Sequence, residues 1–194
     1  MHDVKQAMHR TLAGPLPPQD LRRRIRRRGG TGMALRRATV ATSLIGMASM
    51  AAVTLYQTGL LRRLPDPPVR RPHFDTAKVN SSDEAWGYGM PDGPITLAMH
   101  AGNLMLAAAG PPERVRTRPW LPMLAAVFAG AQAAVAAKYL FHTMPKVDRA
   151  WCPYCVTDAL MHFGTFAFTL TEAAQAAESL RAARQPPRGM GLGR

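Results

Sequence analysis

A chain of 194 residues is long enough for one domain with a sizeable core, and its mean hydropathy of −0.13 averages two unlike populations. Both ends are polar and basic, whereas the middle is built from Ala, Leu, Met and Val with few charges. Two cysteines are too few for a secreted disulfide scaffold, and the net charge of +13 comes without the aromatic platform or fold pattern of a nucleic-acid binder.

Residues 1–35 are rich in Arg, Pro and Gly and read as a disordered, basic cytoplasmic tail. The run Arg22-Arg23-Arg24-Ile25-Arg26-Arg27-Arg28 suits a place beside a membrane helix, where arginines hold the cytoplasmic side and meet anionic lipid headgroups. Four apolar segments follow, at about 38–61, 94–110, 120–143 and 151–172, against the roughly 17–25 residues that a bilayer-crossing helix needs. Arg36-Arg37 ahead of the first segment has the look of an export signal, but the apolar run is long for one and three more follow, so it reads as retained. The second segment is short and carries His100 and Asn103; the third carries Lys138; the fourth carries Asp158, with Glu172 near its far end.

Between the first two segments, Leu64-Pro65-Asp66-Pro67-Pro68 is stiff and extended, and Ser81-Ser82-Asp83-Glu84 can cap a short helix. Trp86 and Tyr88 suit a membrane interface, and Gly89-Met90-Pro91-Asp92-Gly93-Pro94 turns the chain into the second segment. Most Lys and Arg lie in the two tails and in the loop between segments two and three, which places both termini in the cytoplasm. The fold expected is all-α: an integral membrane four-helix bundle over 36–178, with an extracytoplasmic loop or half-helix between the first two spans and a basic tail over 179–194.

Trp151-Cys152-Pro153-Tyr154-Cys155 holds both cysteines and opens the fourth segment on the extracytoplasmic side, where disulfides persist. A Cys-x-x-Cys pair exchanges two electrons with a thiol partner, and at the mouth of a membrane helix it can pass them to a carrier dissolved in lipid. A purely structural bridge over two intervening residues would constrain very little chain. No metal is expected, because no second cysteine pair exists and His162 is about two helical turns away. Cys-Pro-Tyr-Cys also occurs in glutaredoxins, but there it follows a strand, and no strand–helix alternation surrounds it here.

Over roughly 38–175 the pattern resembles the vitamin K epoxide reductase family, through Cys152-Pro153-Tyr154-Cys155 and the Phe74-Asp75, Ser81-Ser82 and Gly89-Met90-Pro91-Asp92 features of the loop. The resemblance implies four core membrane helices around a quinone of the ubiquinone or menaquinone type, no nucleic-acid partner, and a separate thioredoxin-like thiol protein on the extracytoplasmic side. Members commonly have two loop cysteines that relay electrons; Phe74 and Ser82 stand at those places. The family's aromatic hydroxyl one turn beyond the second active cysteine falls on Ala159, and Asp92 stands near the usual quinone-bonding asparagine.

Cys152, nearer the aqueous boundary, is expected to face the thiol partner and Cys155 the quinone. Asp158 and Lys138 each lie about 10 Å in from the outer ends of their spans, at the 1.5 Å rise of a helix. They are expected to pair, or both to border the quinone headgroup, as a proton relay or as a structural lock. His100 lies at a similar depth and His162 deeper; both are candidates for the same quinone-binding or proton-relay group, with Asp92. Met99, Met105, Met161 and Phe163 are candidates for the pocket wall, or for ordinary packing. The function expected is a membrane thiol–quinone oxidoreductase, by disulfide formation or by quinone or epoxide reduction. The alternative is a membrane scaffold or partner for a separate redox protein, which the missing loop cysteines favour.

Overall fold

The computed structural model describes residues 17–27, 30–69 and 73–184. The described residues are helical apart from turns, loops and one isolated bridge. Four long helices make the body: α2 (Thr31–Gln57), α4 (Asp92–Ala108), α6 (Trp120–Lys138) and α7 (Pro153–Arg184). Shorter pieces are α1 (Pro18–Arg27), the loop helix α3 (Thr76–Asn80), a 3₁₀ turn at Glu84–Trp86, and α5 (Arg114–Thr117). Within 1–35, where disorder was expected, Pro18–Arg27 and the start of α2 are helical; 1–16 lie outside the described residues. At the other end α7 runs on to Arg184, so 179–184 extend the helix, and 185–194 lie outside the described residues.

Helix α7 is the centre of the packing, laid against both α2 and α6, while α4 lies against α2 and only lightly against α6. That loose fourth edge leaves a cavity between α4, α6 and α7. The buried seam of α7 reads Cys155, Asp158, His162, Thr165, Thr169, Glu172, Ala176, at alternating steps of three and four, and that of α2 reads Met33, Arg36, Thr39, Ser43, Gly46, Met50, Val53. This spacing keeps one stripe of each helix facing its neighbour. The α7 stripe is mostly polar and that of α2 carries Arg36, Thr39 and Ser43, whereas Leu44, Ile45, Val127, Phe141, Leu160 and Leu170 are exposed on the outside. Polar seams inside and large apolar side chains outside suit a protein whose solvent is lipid. Two helical stretches, Thr31–Gln57 and Trp120–Asp148, are long and apolar enough to cross a bilayer.

The end of the bundle away from the cysteines is locked by two buried arginines. Helix α4 stops at Ala108, leaving carbonyls that no further turn of helix can satisfy. Arg36 donates to the carbonyls of Ala107 (2.7 Å), Ala109, Gly110 and Pro111, and Arg114 donates to Ala109 (2.9 Å) and, through Nε and Nη2, to both carboxylate oxygens of Glu172 at 2.7 and 2.6 Å. Gly110, at φ +78°, makes the turn between them.

At the cysteine end, α6 passes into a wider π-helical stretch, Tyr139–Asp148. Pro145 within it has no N–H to donate, and Arg149 in the left-handed region (φ 53°) ends it. The chain then reaches Trp151, which exchanges backbone bonds with the loop: Trp151 N–H donates to His73 O (2.9 Å) and Asp75 N–H to Trp151 O (3.0 Å). Asp75 also caps α3 by accepting from Lys78 N–H at 2.9 Å, and Asp66 of the proline-rich segment accepts from Thr76 N–H at 3.1 Å. The loop is thereby tied across the start of α7.

Removing one partner of a buried ion pair strands the other charge, which costs about 3–5 kcal/mol. Glu172→Ala is therefore expected to destabilise the chain by about that amount in denaturant unfolding in detergent micelles, by the same reasoning. A loss below about 1 kcal/mol, the scale of an exposed pair, would show that the arginine clamp does not hold the bundle.

Candidate functional site: a buried dithiol beside a mainly apolar cavity

Both cysteines are free thiols, and both are buried. Cys152, the thiol expected to meet the partner, is 0% exposed and sealed in this structure. The cover is α3. Val79 packs in the same apolar cluster as both cysteines, with Ala136, Leu140, Met144, Ala150 and Ala159. Asn80, itself 1% exposed, donates from Nδ2 to Cys152 Sγ at 3.3 Å and accepts at Oδ1 from Cys155 Sγ at 3.6 Å. A second donor reaches Cys152 Sγ from the Cys155 backbone N–H, at 3.2 Å, because Pro153 starts the helix immediately after Cys152. Two N–H donors converging on one sulfur suit a thiolate there.

Cys155 lies one turn further in and lines a cavity of about 370 Å³ between α4, α6 and α7. Its walls are mainly apolar, with Met50, Ile95, Met99, Val135 and Ala136 among them; Met105, Met161 and Phe163 are not on the wall. Polar groups enter at separate points: Asp92, Gln132, Lys138, Tyr139, Asp158 and His162. Glu84 and Tyr88 of the loop stand at the same cavity, so the loop contributes to its rim as well as covering the thiols.

Asp158 does not pair with Lys138. Its carboxylate meets His100 Nε2 at 2.8 Å through Oδ1 and His162 Nε2 at 3.4 Å through Oδ2, and the two imidazoles stack with centroids 4.3 Å apart and planes 8° apart. The reason is helical phase and distance. His162 follows Asp158 by four residues and shares its face, while α4 brings His100 into the α2–α7 seam over Gly46, where a Cβ would stand 2.2 Å from His100 Nε2. Lys138 is left on the cavity wall, as the other branch of the expectation had it, and makes no ion pair among the described residues. Asp92 also lines the cavity, held by Gln57, whose Nε2 donates to Asp92 Oδ1 (2.8 Å) and whose Oε1 accepts from Gly93 N–H (3.1 Å).

Three residues escaped the sequence reading. Asn80 lies 72 and 75 positions from the sulfurs it touches, and only the loop's return to Trp151 reveals the pairing. Gln132 exchanges amide bonds with Asn103 (2.8 and 3.4 Å), which joins α4 to α6 across their loose edge. Tyr139 carries a buried hydroxyl with no hydrogen-bond partner among the described residues and lines the cavity together with Ala159. Its position just after Lys138 was the available signal.

The profile of the Vitamin K epoxide reductase family matches residues 37–170. The chain belongs to that family. Comparison with individual curated proteins gives no match. As a vitamin K epoxide reductase family member it is a membrane protein, in a family of membrane thiol–quinone oxidoreductases that act on quinone or epoxide. Within this family frame, Phe74 and Ser82 occupy structural roles in the lid: Phe74 forms the backbone bridge to Trp151, and Ser82 Oγ donates to Val79 O at 2.9 Å and accepts from Ala85 N–H.

If Asn80 closes the lid over the dithiol, Asn80→Ala removes two sulfur contacts and frees α3 to open. Alkylation of Cys152 by a maleimide in the reduced, detergent-solubilised chain is expected to accelerate about tenfold, equivalent to about 1.4 kcal/mol and within the range for one or two net hydrogen bonds. An unchanged rate would mean that access to Cys152 is controlled elsewhere.

Proposed function

We propose that the chain is a membrane thiol–quinone oxidoreductase in which Cys152 and Cys155 cycle between dithiol and disulfide against a lipid quinone. The observation that carries this reading is the placement of Cys155 on the wall of the cavity that also holds Tyr139, Lys138 and Asp158. In the oxidising direction, the two thiols surrender two electrons and two protons, one S–S bond forms, and the quinone takes both electrons and both protons to become a quinol. A reduced thiol partner then restores the dithiol, its own two thiols giving up two electrons and two protons as they close to a disulfide. Cys155 exchanges electrons with the quinone, and Cys152 with a separate thioredoxin-like protein on the extracytoplasmic side.

The headgroup fits against the polar wall, with its isoprenoid tail leaving through the loose edge between α4 and α6. Tyr139 Oη is a donor with no partner among the described residues, and it lines the same cavity as Ala159, the place of the family's aromatic hydroxyl. Lys138 can neutralise charge that develops on a quinone oxygen. Asp92, His100, Asp158 and His162 form the remaining polar groups around the headgroup, for binding or for handing protons to it. Cys152 must be uncovered before a partner can reach it, so partner docking and movement of α3 go together. Both termini lie in the cytoplasm, the four long helices span the membrane, and the cysteine end faces outward.

One observation favours a second reading, a membrane scaffold for another redox protein: the places of the family's relay cysteines hold Phe74 and Ser82, and Cys152 is sealed. Cys155→Ser separates the two. In proteoliposomes with a reduced thioredoxin-like protein and a short-chain ubiquinone or menaquinone, the oxidoreductase reading expects quinol formation to fall by at least about 10³-fold, since loss of a covalent redox group removes the pathway rather than tuning it. Wild-type protein that gives no quinol with either class, while retaining its partner after the substitution, would establish the scaffold instead.

A further inference from the structure

Among the described residues, Asn80 is the one side chain that hydrogen-bonds both sulfurs, and it does so with opposite ends of its amide. Nδ2 donates to Cys152 Sγ at 3.3 Å, and Oδ1 accepts from Cys155 Sγ at 3.6 Å. The amide is held in this sense by a third bond: Nδ2 also donates to the carbonyl of Thr76 at 2.8 Å, one turn back in α3. Turned over, it would set its own oxygen against that carbonyl, so the acceptor end must face Cys155. An acceptor sulfur at Cys152 beside a donor S–H at Cys155 is the pattern of a reduced pair.

A disulfide cannot match that pattern. It carries no S–H, so Asn80 Oδ1 loses the one donor that reaches it among the described residues, and it does so in a buried place. The amide cannot turn to find another, because Nδ2 stays tied to Thr76. A buried acceptor without a donor favours any movement that lets water reach it, and here that movement is the lifting of α3. The other bonds on Asn80 are indifferent to the state of the sulfurs: its backbone carbonyl accepts from Trp86 Nε1 at 3.3 Å and from Gln57 Nε2 at 3.4 Å. Sensitivity to oxidation is therefore concentrated in one side-chain amide.

We propose that Asn80 is a positioning residue that clasps the reduced Cys152–Cys155 pair and releases the disulfide, so that the α3 lid opens on oxidation. The inference deepens the oxidoreductase reading and rests on it. When the pair closes to a disulfide, its two electrons and two protons pass to the quinone, and Asn80 loses its hold. A reduced thiol partner has work to do only at that stage, when Cys152 is a disulfide sulfur open to attack. Once the dithiol is restored, the clasp reforms and shields Cys152 from a second exchange. Linkage makes the effect reciprocal: contacts by which the reduced pair holds the lid also stabilise the reduced pair and raise its reduction potential.

The test uses the full chain in detergent, poised as dithiol or as disulfide by a glutathione buffer, with no quinone present. Hydrogen exchange of the backbone amides across Thr76–Asn80, read by mass, is expected to run about tenfold faster in the disulfide form, the scale of one or two net hydrogen bonds. This comparison needs only the unmodified chain, whose folding is not in question. In Asn80→Ala the amides should exchange fast in both states. The same variant should shift the dithiol–disulfide equilibrium about tenfold toward disulfide, a reduction potential lower by about 30 mV for two electrons. Equal exchange in the two states of the unmodified chain, a difference that survives Asn80→Ala, or an unchanged potential would each overturn the assignment. A lid that responds to oxidation in a chain that fails to reduce quinone would count against the oxidoreductase reading alone.

Discussion

An ionisable group inside a bundle that faces lipid must bring its own partner, and this fold is organised around two places where that happens. At one end Arg114 grips Glu172 with two hydrogen bonds while Arg36 fills the carbonyls at the end of α4. At the other, Asp158 sits between two stacked imidazoles from α4 and α7. Both arrangements draw α4 and α7 together, and both require that α2 present small or polar residues in the seam between them. Gly46 is the clearest case, since any side chain there would occupy the space of the His100 ring. Helix α6 is held to α7 by apolar packing and to α4 chiefly by the Asn103–Gln132 amide pair, and the space left along that edge is the cavity.

The dithiol stands where the loop and the bundle meet. Its two sulfurs differ in surroundings although they are one turn apart: Cys152 receives two N–H donors and is closed off by α3, while Cys155 opens on the cavity. This asymmetry matches a division of labour between a thiol partner and a carrier in the membrane. It also explains how the chain accommodates Phe74 and Ser82 where relatives have relay cysteines. Those positions serve the closure of the lid, so the proposed exchange with a partner requires the lid to open. Tyr139 offers a comparable accommodation, a phenol delivered to the cavity from the start of the π-helical stretch after α6, where Ala159 on α7 has none.

The sequence disclosed the parts that depend on composition and local spacing. Uncharged runs announced the long helices of α2 and α6, and Cys152 through Cys155 announced both the chemistry and the start of α7. Asp158, His162 and Lys138 were recognisable as polar residues that an apolar run must have a reason to keep, and Asp92 through the family resemblance; all four reach the cavity. His100 was marked for the same reason and joins them through Asp158 instead of through the wall. Pairing was less legible. The choice of His100 and His162 over Lys138 as partners of Asp158 depends on helix rotation, which hydropathy does not encode. The sealing of Cys152 by Asn80 depends on a loop returning across some seventy residues. The π-helical stretch after Lys138 and the continuation of α7 to Arg184 likewise follow from tertiary packing and the missing N–H of Pro145.

The central claim is that the Cys152–Cys155 pair exchanges electrons directly with a quinone in the adjacent cavity. The most direct measurement is the thiol state of the reduced, lipid-embedded protein before and after quinone is added, counted by alkylation and intact mass, with quinol measured alongside. The account expects both thiols to become one disulfide, with one quinol formed per chain and no other protein present. A dithiol that stays fully reduced under saturating ubiquinone-type and menaquinone-type quinones, in protein that remains folded, would contradict it.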